Sequence, residues 1–182
     1  TEHVGIDKLV TATGLTLGGN DKDNYTVNSS AITTADITAR DLTLTNFVAG
    51  DKVYDGTTDV LSGAGFDDNR VIGDLLTFSY SKAFEDKNVG TDKDVNFTSI
   101  EISGGADQYN YSLVTTSGTA QADITQKALT VTAVTYSKTY DGTTTSDETP
   151  VVSDDLVSGD LINAQPTQVY DNKNVGNTYV MT

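Results

Sequence analysis

The chain repeats itself at a spacing of 86 residues, and this repeat constrains the fold more than any other feature. Residues 52–58, which contain Tyr-Asp-Gly-Thr-Thr, recur at 138–144, and the Lys-Asn-Val-Gly segment at 87–90 recurs at 173–176. An Asn-Tyr segment at 24–25 recurs at 110–111, and an Ala-Asp-Ile-Thr segment at 35–38 recurs one residue further apart, at 122–125. Self-similarity at a fixed period is typical of arrays of small domains. The 182 residues therefore hold about two lengths of one repeated unit.

Residue usage within the repeat predicts an all-β fold. Thr, Val, Ile and Tyr favour strands, whereas Gly, Asn and Asp favour turns. Apolar residues never recur at helical spacing over a sustained segment, whereas Leu129, Val131 and Ala133 alternate with polar neighbours, which predicts a half-buried strand. Several short strands at even spacing indicate tandem β-sandwich-like repeat domains of about 86 residues.

Two local features of the strands can be predicted in more detail. Leu42 and Leu44 begin the strand that matches Leu129 and Val131, but Asn46-Phe47 stands where the later copy has only Ala133. An extra residue in one copy of a strand predicts a β-bulge. The Asp-Gly pairs after Tyr54 and Tyr140 predict tight turns, with glycine at positive φ.

The joints between copies are short. Residues 38–42 and 125–129 connect the last strand of one copy to the first strand of the next without Gly or Pro, which predicts stiff connections and an elongated rod. We favour units at 1–39 (the C-terminal half of a repeat), 40–126 (a complete repeat) and 127–182 (an N-terminal half). Open edges would then allow head-to-tail strand complementation between chains. The alternative is a boundary at Lys-Asn-Val-Gly, which would give two complete units.

Charge and cysteine content exclude several classes of function. The net charge of −15 disfavours binding to nucleic acid or to anionic membrane surfaces. No apolar run is long enough to span a bilayer, so we expect no membrane insertion. The chain has no Cys, which excludes disulfides, thiolate metal sites and cysteine nucleophiles.

The ordered set of motifs resembles the YDG-type repeat of filamentous-haemagglutinin-like and other large bacterial adhesins. The resemblance covers essentially the whole chain and implies an extracellular protein, at the bacterial surface or secreted, with a structural stalk or spacer role. It implies no catalytic residues, and we expect no enzyme activity. The alternative is a glycan- or host-protein-binding module; in either case neighbouring repeats of the same chain are expected partners. The motif residues are Tyr54, Asp55, Gly56, Lys87, Asn88, Gly90, Tyr140, Asp141, Gly142, Lys173, Asn174 and Gly176.

Each motif can be interpreted either as a structural turn or as a site with a specific function. The Tyr-Asp-Gly segments are interpreted as turns, with Tyr on the core and Asp bonding backbone N–H groups, rather than as sugar contacts. Lys87 and Lys173 are interpreted as exposed turn residues; the alternative, an intramolecular isopeptide bond, needs apolar burial. Acidic loops are the only candidates for a cofactor, which would be calcium. These weak calcium candidates are Asp21, Asp23, Asp67, Asp68, Asp154 and Asp155.

Other candidate residues are not supported by the repeat. Tyr80, Tyr109 and Tyr136 have no tyrosine at the matching positions, and an exposed cluster of them on one face would favour ligand binding. An acid–base pair of Asp55 and Asp59 is not a feature of the repeat, because Thr145 replaces Asp59 in the later copy. The single His, His3, matches Asn88, so a polar turn role is sufficient for it.

Overall fold

A computed structural model describes residues 2–153 and 155–176, and strands dominate it, as the composition predicts. The only helical elements among these residues are two single 3-10 turns, Lys22–Asn24 and Gln108–Asn110. The strands are β1 (Gly5–Thr13), β2 (Ser30–Ile37), β3 (Arg40–Leu42), β4 (Leu44–Val48), β5 (Lys52–Val53), β6 (Gly65–Asp68), β7 (Thr77–Phe84), β8 (Gly90–Gly104), β9 (Tyr111–Leu113), β10 (Gly118–Thr125), β11 (Val131–Thr132) and β12 (Val151–Val152).

Strands β3 to β10 form the central part of the molecule, which we call the central unit. A four-stranded sheet has the order β5-β10-β8-β7, and two further pairs are β3-β9 and β4-β6. The β5-β10 and β3-β9 pairs are parallel, whereas β7-β8, β8-β10 and β4-β6 are antiparallel. Each parallel pair joins a strand near the start of the unit to one near its end. The unit therefore closes on itself through contacts between residues distant in sequence.

The hydrophobic core of the central unit forms between its two halves. We call residues 40–84 (β3–β7) the first half and residues 90–125 (β8–β10) the second half. The first half contributes Leu44, Val60 and Phe84 to the main buried cluster. The second half contributes six further buried residues: Val95, Phe97, Ile100, Ala120, Ala122 and Ile124. Neither half can bury its apolar face without the other.

Aromatic rings extend this core on the side of β4, β6 and β7. The Phe97 ring centroid lies 5.2 Å from that of Phe47 and 5.7 Å from that of Tyr80. Phe66 lies edge-on to Phe78 and to Tyr80, at 5.2 and 5.3 Å. Tilted and edge-on arrangements at these distances are favourable beyond the area that they bury.

The predicted bulge in β4 is confirmed. The pairing of β4 with β6 shifts register between Thr45 and Val48, and Asn46 has a φ of +52°. The Asn46 amide donates a hydrogen bond of 2.9 Å to the carboxylate of Asp67, which supports this uncommon backbone conformation.

The flanking segments keep part of the local structure of the halves that they match, and many of their apolar residues are exposed. Strands β1 and β2 form an antiparallel hairpin that matches β8 and β10. Leu129 and Val131, predicted to be half-buried, are 43% and 56% exposed. The reason is that Leu44, which matches Val131, is covered by the second half of its unit, and the described residues after 127 contain no such half.

Candidate functional site

The Tyr-Asp-Gly turn of the central unit is built around one carboxylate oxygen. Asp55 Oδ1 accepts hydrogen bonds from the backbone N–H and the hydroxyl of Thr57, both at 2.9 Å. Gly56 has a φ of +80°, which glycine adopts without steric cost. Tyr54 is half-buried and packs against the main core cluster. The interpretation of this segment as a turn is therefore confirmed.

Lys52 lies beneath this turn, and its burial was not predicted from the sequence. Its side chain is 2% exposed, and its Nζ donates hydrogen bonds of 2.8 Å to Asp55 Oδ1 and to the Thr57 carbonyl oxygen. The ammonium also lies 5.5 Å from the centroid of the Phe84 ring, at cation–π distance. Because these groups neutralise and hydrogen-bond the ammonium, a charged lysine can be buried here.

The later copy repeats this arrangement in a more exposed form. Lys138 Nζ lies 3.0 Å from Asp141 Oδ1 and donates a hydrogen bond of 2.9 Å to the Thr143 hydroxyl. Gly142 has a φ of +78°, close to that of its counterpart in the central unit. Tyr140, however, is 59% exposed, so its predicted packing on a core is wrong. In the central unit the matching Tyr54 is held by strand β10, to which its N–H donates a hydrogen bond of 2.8 Å at Thr125.

Both aspartates of these turns are strongly stabilised in the charged form. The hydrogen bond from Lys52, followed by the amide of Thr57, lowers the pKa of Asp55 from 3.8 to about 2. The Thr143 amide, followed by Lys138, lowers the pKa of Asp141 from 3.8 to about 2. A carboxyl group with a lowered pKa in the folded state stabilises that state above its unfolded pKa. This stabilisation is lost as the pH falls from about 4 to about 2.

We expect Asp55→Asn to destabilise the central unit at neutral pH and to flatten its acid sensitivity. The substitution leaves the buried Lys52 ammonium without a counter-charge. The expected loss is about 2 kcal/mol, below the value for a fully buried pair because the Asp55 side chain is 33% exposed. Urea unfolding, followed by tyrosine circular dichroism at pH 7 and between pH 4 and 2, measures both effects.

The matched control is Asp141→Asn, which removes the same charge from the later copy. There the Lys138 and Asp141 side chains are 16% and 49% exposed, against 2% and 33% for Lys52 and Asp55. It should leave the unfolding of the central unit unchanged. An Asp55→Asn variant with the stability and acid dependence of the original protein would contradict the role assigned to this pair.

The Lys-Asn-Val-Gly turn depends on the residue that precedes it. Asp86 accepts a hydrogen bond of 2.6 Å from the N–H of Asn88, and Asn172 accepts the matching bond of 2.9 Å from Asn174. Lys87 and Lys173 are exposed, which confirms their interpretation as turn residues and removes the apolar environment that an isopeptide bond requires. Gly90 begins β8 and pairs with β10.

A second buried lysine was also missed in the sequence. Lys93 has a side chain that is 9% exposed, and its Nζ lies 2.8 Å from Asp86 Oδ2 and 3.4 Å from Glu85 Oε1. Its hydrogen bond with Asp86 raises the pKa of Lys93 and lowers the pKa of Asp86. The sequence does contain an indication of this burial. Lys93 lies two residues before Val95 and four before Phe97, so in a strand all three side chains point to the same, buried face.

The acidic calcium candidates that the structure describes do not converge. Asp68 is paired with Arg70, whose Nε donates a bond of 2.8 Å, and this pairing lowers the pKa of Asp68. Asp67 accepts its bond from Asn46, whereas Asp21 and Asp23 lie at the exposed 3-10 turn and Asp155 is exposed. Asp154 lies outside the described residues. In the part of the chain that the structure describes, no three His, Asp or Glu side chains are placed to hold a metal ion.

The three tyrosines predicted as ligand contacts lie in different environments. Tyr80 packs with the aromatic rings of the core, and the Tyr136 hydroxyl donates a bond of 2.9 Å to Asp147. Tyr109 is 79% exposed. The most enclosed tyrosine of the described residues was not among the candidates: the hydroxyl of Tyr111 donates to Asp74 at 2.5 Å and accepts from the N–H of Val71 at 2.8 Å. Burial, followed by the bond to Asp74, raises the pKa of Tyr111.

The remaining candidates also make structural contacts. His3 Nδ1 lies 3.0 Å from the Asn110 side-chain amide. The N–H of Asp59 donates to the Thr57 hydroxyl at 3.2 Å, while Asp55 is paired with Lys52. Helices of membrane-spanning length and hydrophobicity are absent from residues 2–153 and 155–176.

Comparison with known proteins gives one finding. A family model described as the YDG domain matches residues 38–120 and again residues 125–182. No curated protein and no solved structure matches the chain.

Proposed function

This chain belongs to the YDG domain family, and on that premise we propose that it is a structural spacer segment of a bacterial surface or secreted adhesin. Its units, in this proposal, hold their neighbours at a defined angle and so extend an adhesive region from the cell. The observation that carries the proposal is that each unit contacts the next one through side chains as well as through a short connection.

The first joint connects the β1-β2 hairpin to the central unit. Only residues 38–39 separate β2 from β3. The N–H of Val4 donates a hydrogen bond of 3.0 Å to the Asn110 side chain, whose amide also contacts His3. Two connecting residues and these bonds leave the hairpin little freedom to reorient relative to the central unit.

The second joint connects the central unit to the segment after it. Residues 126–130 separate β10 from β11. Tyr54, Val89, Leu129, Leu156 and Val157 line one groove across this joint. Contact is so close at Gly56 that an added Cβ would lie 2.5 Å from Cγ1 of Val157.

The two joints share one position of the repeat. Val4 contacts the following unit at the first joint and Val89, its counterpart in the repeat, lines the second joint. In repeat proteins, a contact that recurs at each joint adds the same rotation per unit and so produces a regular extended shape. This recurrence supports a spacer more directly than it supports a ligand-binding site.

We expect Val157→Asp to loosen the second joint without unfolding the central unit. A carboxylate placed against Gly56 and Tyr54 would be driven towards water, so the contact would open. The chain has no Cys, so spin labels at Glu101→Cys and Thr149→Cys would report the distance across the joint. Electron-resonance measurements on labelled chain diluted into unlabelled chain should give a narrow distance distribution that broadens in the variant.

The control is Val175→Asp, since Val175 is 85% exposed and lies away from the groove. It should leave the distribution narrow. A broad distribution in the original protein would contradict a stiff joint and, with it, the spacer proposal.

Glycan or host-protein binding stays the second candidate. Of the three tyrosines that suggested it, only Tyr109 is largely exposed, so no shared aromatic face supports it. Binding of the 182-residue chain on a glycan array, lost in Tyr109→Ala, would favour a binding module over a spacer.

A further inference from the structure

The side chain of Asn110 belongs to the central unit but bonds to residues that precede the β1-β2 hairpin. Its Oδ1 accepts a hydrogen bond of 3.0 Å from the N–H of Val4, and its Nδ2 lies 3.0 Å from Nδ1 of His3. These partners are 106 and 107 residues away in the sequence. In residues 2–153 and 155–176, the Asn110 side chain makes no hydrogen bond within its own unit. The amide therefore serves the joint between units rather than the fold of one unit.

The parallel pairing of β3 with β9 places Asn110 at the first joint. The first residues of these two strands pair with each other, so residues 38–39 and Asn110 enter the pair side by side, at the same end. Gly5, at the start of β1, pairs with Ile37, at the end of β2. The residues just before β1 therefore lie beside the same short connection, within reach of the amide.

The turn that carries this amide has the same geometry in both copies of the repeat. The 3-10 turns Lys22–Asn24 and Gln108–Asn110 are each followed by a tyrosine with a φ of −126° and a ψ of 151° or 148°. In each turn the asparagine N–H donates to an aspartate carbonyl oxygen, at 3.1 Å for Asn24 and 2.9 Å for Asn110. Local bonds thus set the position of the asparagine before any other unit contacts it.

Tyr111, the next residue, fixes Asn110 to the core of the central unit. Its ring is buried in the second core cluster, and its hydroxyl is bonded to Asp74 and to the N–H of Val71. The loop that this hydroxyl holds also belongs to the joint surface, because Val71 matches Val157, which lies against Gly56 at the second joint. The two residues of the Asn-Tyr segment therefore act on the same surface, one by contact and one by anchoring.

We propose that the Asn-Tyr segment is the docking site by which a YDG unit orients the unit before it. Asn110 binds the Val-Gly segment of the preceding unit, and Tyr111 holds Asn110 in place. The partner group is a backbone N–H, so the contact needs no particular side chain. Val4-Gly5 recurs at 89–90 and Asn24-Tyr25 recurs at 110–111, so both sides of the contact are part of the repeat. This inference rests on the spacer proposal, since an orienting contact has a role only at a stiff joint.

Such a contact is suited to setting orientation rather than to adding stability. A hydrogen bond weakens steeply as its geometry departs from linear, and its net contribution to folding is modest. Residues 38–39 already keep the two units together, so the bond competes only with other orientations of a tethered hairpin. We therefore expect loss of the bond to widen the range of orientations and to leave the unfolding of the central unit unchanged.

Spin labels at Thr34→Cys and Glu101→Cys, which are both exposed positions, report the distance across the first joint. Electron-resonance measurements on the labelled 182-residue chain, diluted into unlabelled chain, should give a narrow distance distribution that Asn110→Ala broadens. Asn24→Ala is the matched control, because it removes the same amide from the same turn of the hairpin, where it is exposed, and should leave the distribution narrow. Asn110→Asp keeps an acceptor for the Val4 N–H and should broaden the distribution less than Asn110→Ala.

A change on the other side of the contact gives a second readout. Val4→Pro removes the N–H donor and leaves Asn110 as it is. It should broaden the distribution as Asn110→Ala does, and the double variant should be no broader than either single variant, because both changes remove the same bond. Urea unfolding followed by near-ultraviolet circular dichroism should give the same midpoint for Asn110→Ala and Asn24→Ala, which separates an effect on orientation from an effect on stability.

Several results would overturn the proposal. They are a distribution that stays narrow in Asn110→Ala, equal broadening by Asn24→Ala, additive effects of Val4→Pro and Asn110→Ala, or a lower unfolding midpoint for Asn110→Ala than for its control. With a narrow distribution in the original protein, each of these results would leave the spacer proposal standing. A distribution that is already broad in the original protein would instead contradict the stiff joint itself, so failure of this inference and failure of the spacer proposal are distinguishable.

Discussion

Phe97→Ala is expected to destabilise the central unit by about 4 kcal/mol, because large-to-small changes of buried aromatic residues remove apolar area and leave a cavity. Phe97 is 1% exposed, and its ring lies within 6.3 Å of the rings of Phe47, Phe66 and Tyr80. It projects from β8 of the second half into residues of the first half. Its loss therefore weakens the contact by which the two halves hold each other.

A small domain has a total stability of about 5–15 kcal/mol, so this change removes much of it. Urea unfolding followed by near-ultraviolet circular dichroism measures the loss, and the midpoint should fall sharply. Tyr109→Ala is the control, since Tyr109 is 79% exposed and surface substitutions usually change stability by less than about 0.5 kcal/mol. Equal losses in the two variants would contradict a core that is centred on Phe97.

Gly105→Ala is expected to cost about 3 kcal/mol, through two effects that act on the backbone. Gly105 has a φ of +109°, a conformation that residues with a Cβ rarely adopt. An added Cβ would also lie 2.0 Å from the Leu75 carbonyl oxygen and 2.7 Å from Cα of Leu76. Because these are backbone atoms, the loop before β9 would have to move away from the start of β7.

The hairpin offers a matched control for this substitution. Gly19 matches Gly105 in the repeat and has a φ of +94°, yet an added Cβ would meet nothing within 4 Å. Gly19→Ala should therefore carry the conformational strain without the overlap, and outside the central core. Thermal unfolding of both variants separates the two contributions. If Gly105→Ala unfolds at the temperature of Gly19→Ala, the close approach to Leu75 does not limit stability.

The candidate site was predictable in part. The turn at Tyr54-Asp55-Gly56 and a bond from a backbone N–H to Asp55 follow from the preferences of neighbouring residues, and both were predicted. The burial of Lys52 was not predicted, because it depends on β10 and on Phe84, which lie far away in the sequence. The same limit explains Tyr140, which shares the local turn of Tyr54 but is not held by a strand like β10.

The repeat, the all-β class, the turns at Gly56 and Gly142 and the bulge at Asn46 were all predictable from the sequence. Each of these depends on a few adjacent residues or on comparison of one copy with the other. The parallel pairs β3-β9 and β5-β10, the two buried lysines and the exposed apolar residues of the β1-β2 hairpin depend on how distant segments pack, and were not predicted. The physical reason is that burial is a property of two surfaces in contact, and each surface here is formed by one half of a unit. A half keeps its turns and bulges without its partner, but many of its apolar residues stay in water.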